Sequence, residues 1–208
     1  MTPPSAAEPP RRSGAETRAA IRRVALDLFT ASGYEATSMR EIAEVLGIKK
    51  ASLYYHFAGK EDIVRSLVEQ RGAEAEDLLA WLETQPRTPE SAKAAVLRWV
   101  ESFSADKLHG IRFLTANPLL VRTLAGQGGN RIGSALATLV DALAELLPRR
   151  TPADVLQLRM ALLSINAAVD ASARGDFSDE DILRTARHMA ATAMDELLAR
   201  QGEMKSDD

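Results

Sequence analysis

Apolar residues recur every three or four positions through most of the chain, which is the spacing of amphipathic helices. A first row of this kind consists of Ile21, Val24, Ala25, Leu28 and Phe29. A second row consists of Met39, Ile42, Ala43 and Leu46. Nowhere do apolar and polar residues alternate as they do in a half-buried strand. The pattern therefore predicts an all-α fold of about nine helices.

Residues that cap or terminate helices mark several of the predicted ends. Ser38 is followed three positions later by Glu41, the spacing of a capping box. Gly33 and Gly47 each follow an apolar row, as glycines that end helices do. Ser178 precedes three acidic residues, which the helix dipole favours in a first turn. Later helices are expected over residues 60–81, from Thr88-Pro89 onward, and over residues 131–147, 152–174 and 179–200.

Composition limits the class of protein and its surroundings. The chain of 208 residues contains no cysteine, which excludes disulfides, thiolate metal sites and cysteine nucleophiles. No apolar run approaches the roughly 20 residues that cross a bilayer, and the N-terminus lacks the apolar core of a secretory signal. We expect a cytoplasmic protein without membrane contact. Residues 1–13 are proline-rich and polar and are expected to be disordered, with Arg11 and Arg12 as either a basic arm that adds phosphate contacts or a solvated tail.

Charge is distributed unevenly along the chain. Residues 1–60 hold 9 Lys and Arg against 6 Asp and Glu, whereas the remainder of the chain is acidic enough to give a net charge of −3. A basic N-terminal part on an acidic body is expected of a protein that contacts phosphate at one end.

The segment Thr37 to Lys60, TSMREIAEVLGIKKASLYYHFAGK, carries the most specific pattern in the chain. It predicts a helix, a glycine turn and a short second helix whose basic, hydroxyl and aromatic side chains no core requires. Leu53 and Phe57 lie four residues apart and would hold that second helix against its neighbours. This arrangement is typical of a helix-turn-helix that enters a DNA groove.

The three N-terminal helices resemble the DNA-binding domain of the TetR family of bacterial transcriptional repressors. The residues that match the family pattern are Gly33-Tyr34, Thr37-Ser38, Arg40-Glu41-Ile42-Ala43, Leu46-Gly47-Ile48, Leu53-Tyr54-Tyr55-His56-Phe57 and Lys60-Glu61. The resemblance implies a DNA-binding domain over residues 14–60 and a helical ligand-binding and dimerisation domain over residues 61–208. Lys49 departs from the pattern, because the family often has serine or threonine there to cap the recognition helix.

The resemblance also implies which side chains contact DNA. The base-facing positions would be Arg40, Lys50, Ala51 and Tyr54, since a lysine can donate to guanine and a tyrosine ring can pack on a thymine methyl. The phosphate-facing positions would be Thr37, Ser38, Ser52, Tyr55, His56 and Lys60. Several have ordinary alternatives, because Ser38 must cap its helix in any case and His56 could satisfy a buried hydrogen bond. Tyr34 is expected to belong to the core.

In the body of the chain, the resemblance implies a homodimer that pairs the last two helices of each subunit. The apolar residues on these helices are Leu158, Leu162, Ile165, Val169, Leu183, Met189, Ala193 and Leu197, some of which could instead pack inside one subunit. The middle helices would enclose a small apolar ligand. Its expected contacts are Trp99, Phe103, Phe113, Met160 and Leu163, with Asn166 and Asp170 as polar groups that could equally lie at the dimer seam.

The sequence therefore predicts a transcriptional regulator that binds an operator in double-stranded DNA, most simply a repressor released from a palindromic site by its ligand. An activator, or a dimer of the same fold that no longer reads DNA, remains an alternative. An enzyme is not expected, because His56, His109 and His188 are the only histidines and none lies in a metal-binding or triad motif. The glycines between residues 126 and 133 lack the lysine of a phosphate-binding loop. No cofactor is expected.

Overall fold

A computed structural model describes residues 13–128 and 131–203. Within these ranges the chain forms eleven α-helices and no strand, which confirms the all-α prediction. The helices are α1 (Gly14–Ser32), α2 (Met39–Leu46), α3 (Lys50–His56), α4 (Lys60–Glu83), α5 (Pro89–Glu101), α6 (Ala105–Ala116), α7 (Pro118–Gly128), α8 (Arg131–Ala144), α9 (Pro152–Leu162), α10 (Ser164–Ser172) and α11 (Asp179–Glu203).

Two regions account for the difference between about nine predicted helices and the eleven in the described ranges. The span predicted as one helix, 152–174, is divided at Leu163, where the backbone turns to φ −89° and ψ 4°. The interrupted region after α5 contains two helices, α6 and α7. Asn117 separates them, because its Nδ2 donates to the Phe113 carbonyl at 2.8 Å and Pro118 then begins α7.

The predicted capping box of α2 is present. Ser38 Oγ accepts from the Glu41 backbone N–H at 3.2 Å, and the Glu41 carboxylate accepts from the Ser38 N–H at 2.6 Å. Ser13 and Glu16 make the same pair of hydrogen bonds at the start of α1. Ser13 is therefore a helix cap and not part of a tail. The rest of the predicted disordered tail, with Arg11 and Arg12, lies outside the described residues.

The chain divides into two compact units, the first ending at Val64 and the second beginning at Arg65. This boundary lies inside α4, whereas the sequence interpretation placed it at residues 60 and 61. The reason is that the first turn of α4 belongs to the first unit, where Ile63 and Val64 are fully buried. The core of the first unit also includes Ile21, Phe29, Ile42, Leu53 and Phe57.

The second unit has the larger core, in which α11 packs along α5, α9 and α10. Its fully buried side chains include Leu108, Leu139, Leu158, Ile165 and Met194. Apolar burial on this scale supplies most of the stabilisation of a helical domain. Among the described residues, no helix is both long and apolar enough to cross a membrane.

Candidate functional site

The short helix α3 is fixed from its inner face. Leu53 is 0% exposed and Phe57 is 1% exposed, so both side chains are held in the core of the first unit, as predicted. The turn before α3 depends on Gly47, whose φ of +66° lies in the left-handed region that favours glycine. The Ile48 N–H donates to the Ala43 carbonyl at 3.0 Å and closes that turn. The α3 helix therefore has a defined orientation within its unit.

The outer face of α3 presents two aromatic rings and a cation. Tyr55 is 87% exposed and Tyr54 is 45% exposed, which is unusual for large side chains. The Lys50 ammonium lies 5.6 Å from the centre of the Tyr54 ring. Ala51 and Ser52 are exposed beside them. This face combines hydrogen-bond donors and flat apolar surface, the chemistry that reads bases and phosphates.

On α2, the Arg40 side chain is exposed and has one ion-pair partner, Glu44, on the same helix. Its Nε donates to Glu44 Oε1 at 2.7 Å, one helical turn away. This hydrogen bond, together with the charge of Glu44, raises the pKa of Arg40. A pair this exposed contributes little to stability, so Arg40 can exchange Glu44 for another anion at low cost.

The side chains of Thr37 and Ser38 differ in their surroundings. Ser38 is exposed, although its hydroxyl already caps α2. Thr37 is 2% exposed, and its hydroxyl donates to the Gly33 carbonyl at 2.9 Å. The structure thus assigns the Thr37 side chain to the turn between α1 and α2. This corrects the expectation that its hydroxyl holds a phosphate, because a hydroxyl buried in a turn does not reach a ligand.

Lys60, at the start of α4, closes the same turn from the other side. Its ammonium donates to the Tyr34 carbonyl at 2.6 Å and to the Glu35 carbonyl at 3.2 Å, and it lies 4.6 Å from the centre of the Tyr34 ring. Tyr34 is buried, as predicted, with its ring edge-on to Phe29 at 5.1 Å. Burial, followed by the charge of Glu61, raises the Tyr34 pKa. An ammonium has three donors, so Lys60 keeps one for an external acceptor.

Arg18 is a functional candidate that sequence reasoning missed. Its Nη1 donates to the His56 carbonyl at 2.6 Å, at the end of α3, and its guanidinium lies 4.1 Å from the centre of the Phe57 ring. The His56 side chain is half-buried, with its ring edge-on to Tyr55. Arg18 therefore positions the recognition helix. Nothing in the sequence near Arg18 indicates a partner 38 positions away.

The start of α3 has no side-chain cap. Lys49 occupies the N-cap position and makes no capping hydrogen bond. A serine or threonine at an N-cap normally accepts from a backbone N–H of the first turn. The departure at Lys49 therefore has a structural consequence, since the helix that carries Lys50 and Tyr54 begins without this stabilisation.

Comparison with known proteins identifies the domain that carries these residues. Residues 21–67 match the family described as bacterial regulatory proteins, tetR family. The HTH-type transcriptional repressor BepR of Brucella suis is 26% identical over 178 residues, covering 85% of this chain and 76% of that protein. Residues 21–67 are therefore similar to the tetR family of bacterial regulatory proteins, and the similarity to BepR extends over most of the chain. The residues matched by the family model include α2, α3 and the first turn of α4.

A second relative matches over a shorter stretch. The biofilm operon negative transcriptional regulator IcaR of Staphylococcus epidermidis is 49% identical over 45 residues, which cover 22% of this chain and only 24% of that regulator. A TetR-family regulator from Mesorhizobium loti shares the fold with a TM-score of 0.59 at 22% identity, over 91% of this chain and 98% of that one. The likeness to this solved structure shows a shared α-helical fold over most of the chain.

The predicted ligand contacts fall into two groups in the second unit. Trp99, Phe103 and Phe113 are buried in the core, with the first two rings edge-on at 5.6 Å. The other four, Met160, Leu163, Asn166 and Asp170, are exposed. These four residues do not line one cavity with the aromatic residues. They lie on the exposed side of α9 and α10, whereas Leu158 and Ile165 face the core. Leu163 instead borders a groove of about 240 Å³ between α8 and α9, with Leu136, Val140, Arg159 and Leu162.

The residues expected at the dimer seam are also mostly internal. Leu158, Leu162, Ile165, Val169 and Leu197 are buried within the single chain, whereas Met189 is 59% exposed. The exposed apolar residues of α9 follow another row, formed by Leu156 and Met160 and continued by Leu163 directly after the helix. Both rows of α9 are apolar and have helical spacing, so the sequence did not distinguish the inner row from the outer one.

Proposed function

We propose that the protein is a dimeric transcriptional repressor that binds a nearly palindromic operator through α3 and is released by a small molecule. The observation that carries this proposal is the two-sided character of α3. Leu53 and Phe57 hold the helix from within, while Lys50, Tyr54 and Tyr55 face outward without any role in the core. Rigid placement of exposed polar and aromatic groups is what direct reading of a DNA groove requires.

In this proposal, four residues read bases. Lys50 donates to guanine O6 or N7, and the Tyr54 ring packs on a thymine methyl. Ala51 lies between them and permits close approach of the helix. Arg40 leaves Glu44 and donates to an adjacent base edge or phosphate.

A second set of residues holds the phosphates. Ser38, Ser52, Tyr55 and His56 supply hydroxyl and imidazole groups around the outer face of α3. Lys60 supplies the remaining donor of its ammonium. Such contacts set the register of the protein on DNA without specifying its sequence. The role of Thr37 is to shape the turn that places Ser38.

Two copies of α3 are needed to reach two half-sites one helical turn of DNA apart. We assign the contact between subunits to the exposed apolar row of α9, Leu156, Met160 and Leu163, together with Met189 on α11. The α9 and α11 helices lie side by side, since Gln157 Nε2 donates to the Ala193 carbonyl at 2.6 Å. Exposed apolar residues on two adjacent helices favour burial against a second copy.

Release would follow from a population shift. A ligand that binds the second unit more tightly in a dimer conformation unsuited to the operator weakens DNA binding by that difference in affinity. An activator would show the opposite sign, and a protein that no longer reads DNA would show no operator at all.

Operator selection tests the proposal. Purified protein is mixed with random duplex DNA, and the retained fraction is sequenced. We expect a palindromic consensus. Lys60→Ala should weaken binding to all sequences and lower the salt dependence by about one phosphate contact, whereas Lys93→Ala in the second unit should change neither. A folded dimer that retains no consensus would contradict the proposal.

A further inference from the structure

A buried cation lies in the second unit, whereas the residues proposed to contact DNA belong to the first. Arg71 on α4 is 8% exposed. Its guanidinium lies 4.2 Å from the centre of the Trp99 ring and 3.9 Å from that of Phe103. Both rings are themselves buried. A full positive charge is thus enclosed by aromatic surface, where desolvation is costly.

One carboxylate compensates this charge, and it is shared. Arg71 Nη1 donates to Glu74 Oε2, while Glu74 Oε1 accepts from Gln70 Nε2 at 3.2 Å and lies 3.1 Å from the Lys107 ammonium. The cluster therefore contains two cations and one anion. Counted over these three charged side chains, the net charge is one positive unit, and both oxygens of the Glu74 carboxylate are engaged.

The remaining end of the Arg71 guanidinium meets no acceptor in the part of the chain that the structure describes. Nη2 is fully buried and has no hydrogen-bond partner among the described residues. Buried donors are almost always paired, and an unpaired charged donor is an expensive exception. Burial lowers the pKa of Arg71 to about 10, although Glu74 opposes the change. If Arg71 served only to pack the core, an apolar residue of similar volume could fill the same space without the desolvation cost of a buried charge.

We propose that Arg71 is the anion-recognising group of the ligand site, and that the ligand carries a carboxylate on an apolar or aromatic body. One carboxylate accepts from Nη2 and neutralises the excess charge of the cluster, and the surrounding core residues favour an apolar remainder. This deepens the proposed function and depends on it for the regulatory consequence of binding. It also modifies the expectation of a purely apolar ligand, because a buried cation selects an acid.

The test measures binding without DNA, so that it succeeds or fails independently of the repressor proposal. The protein contains two tryptophans, and a Trp81→Phe background leaves Trp99, beneath the Arg71 guanidinium, as the only tryptophan, so that tryptophan-selective excitation reports on this position. The probes are acetate, octanoate, decanoate and benzoate at constant ionic strength. Each is compared with its neutral amide, which has the same body without the charge.

We expect at least one of the larger carboxylates to change Trp99 fluorescence and to bind about tenfold more tightly than its amide. Arg71→Met should abolish this preference, and in this variant Glu74 keeps the Lys107 ammonium as its ion-pair partner. Arg98→Met is the matched control. Arg98 lies 5.0 Å from the other tryptophan ring but is exposed, so the preference should persist.

A second variant keeps the test decisive if Arg71→Met folds poorly. Glu74→Gln removes the competing carboxylate and should tighten carboxylate binding. The proposal is overturned if no carboxylate of the series is preferred over its amide, if the preference survives Arg71→Met, or if Glu74→Gln binds the acids no more tightly.

Discussion

The two units of the molecule place their cationic side chains in opposite environments. In the first unit, Lys50 and Arg40 are exposed and hold only weak local partners. In the second, Arg71 is enclosed by two aromatic rings and shares one carboxylate. Exposed cations suit a polyanion, whose binding releases counterions and stays sensitive to salt. An enclosed cation suits a single small anion that can be stripped of water, and salt screens it much less.

Each unit contains an arginine that lies over an aromatic ring. The hydrogen bonds of these two arginines differ, and the difference indicates a different role for each. The Arg18 guanidinium lies over Phe57 and donates to a backbone carbonyl at the end of α3. Its bond joins two helices within its unit and therefore positions the recognition helix. The Arg71 guanidinium lies over Trp99 and Phe103 with one nitrogen unpaired among the described residues. The stacking is similar, but of these two arginines only Arg71 has a buried guanidinium nitrogen without a hydrogen-bond partner among the described residues.

The largest expected effect comes from the inner face of α3. Leu53→Ala should destabilise the protein by about 2–5 kcal/mol, because it leaves a cavity at a fully buried position. Urea unfolding gives the magnitude, and hydrogen exchange should locate the loss of protection in residues 13–64. Tyr55→Ala, on the exposed face of the same helix, should stay within about 0.5 kcal/mol. Equal losses for the two variants would contradict the two-sided description of α3.

Arg18→Met should cost about 1–3 kcal/mol of stability, since it removes a charge-assisted hydrogen bond and a cation–ring contact. It should also weaken operator binding, because α3 loses its C-terminal support. Arg23→Met, at an exposed position of the same helix, should leave stability unchanged. If Arg18→Met weakened DNA binding with no loss of stability, Arg18 would be a DNA contact and not a positioning residue.

Lys49→Ser should stabilise the first unit by about 0.5–2 kcal/mol, because it supplies the missing N-cap of α3. The melting temperature is the measurement. Lys50→Ser, one position inside the helix, should give no such gain. A drop in melting temperature for Lys49→Ser would mean that the lysine stabilises the turn in another way.

The smallest expected effect is the contribution of Glu41 to the stability of the fold, which should disappear at low pH. Hydrogen bonds from the Ser38 backbone and side chain lower the pKa of Glu41 below its ordinary value of 4.5. A carboxylate whose pKa is lower in the folded state stabilises the fold above the unfolded-state pKa, and this is lost as pH falls through the folded-state value. Wild type should therefore exceed Glu41→Gln in stability at pH 7 and lose that advantage below about pH 4. An advantage that grows as the pH falls would contradict the capping role of Glu41.

The parts of the fold that could be predicted from the sequence are those determined by residues close together in the chain. Three predicted helix starts each depend on residues within one helical turn. They are the cap of α2 by Ser38, the start of α5 at Pro89 and the cap of α11 by Ser178. The inner face of α3 was also predicted, because Leu53 and Phe57 lie one turn apart among polar neighbours.

The parts that sequence did not predict depend on distant contacts. The inner and outer rows of α9 are both apolar, so only packing against α11 shows that Leu158 is internal and Met160 exposed. The partners of Arg18 and of Arg71 lie up to 39 positions away in the chain. An arginine on a helix is ordinarily a solvated residue, and its burial against aromatic rings leaves no mark in local spacing.

The most direct test of the central claim compares wild type with Tyr54→Ala on the selected operator and on a scrambled duplex of equal length. The ratio of the two dissociation constants measures sequence reading apart from phosphate attraction. We predict that Tyr54→Ala lowers this ratio by about ten- to a hundredfold while the affinity for the scrambled duplex changes little. An unchanged ratio would show that the outer face of α3 does not read the operator.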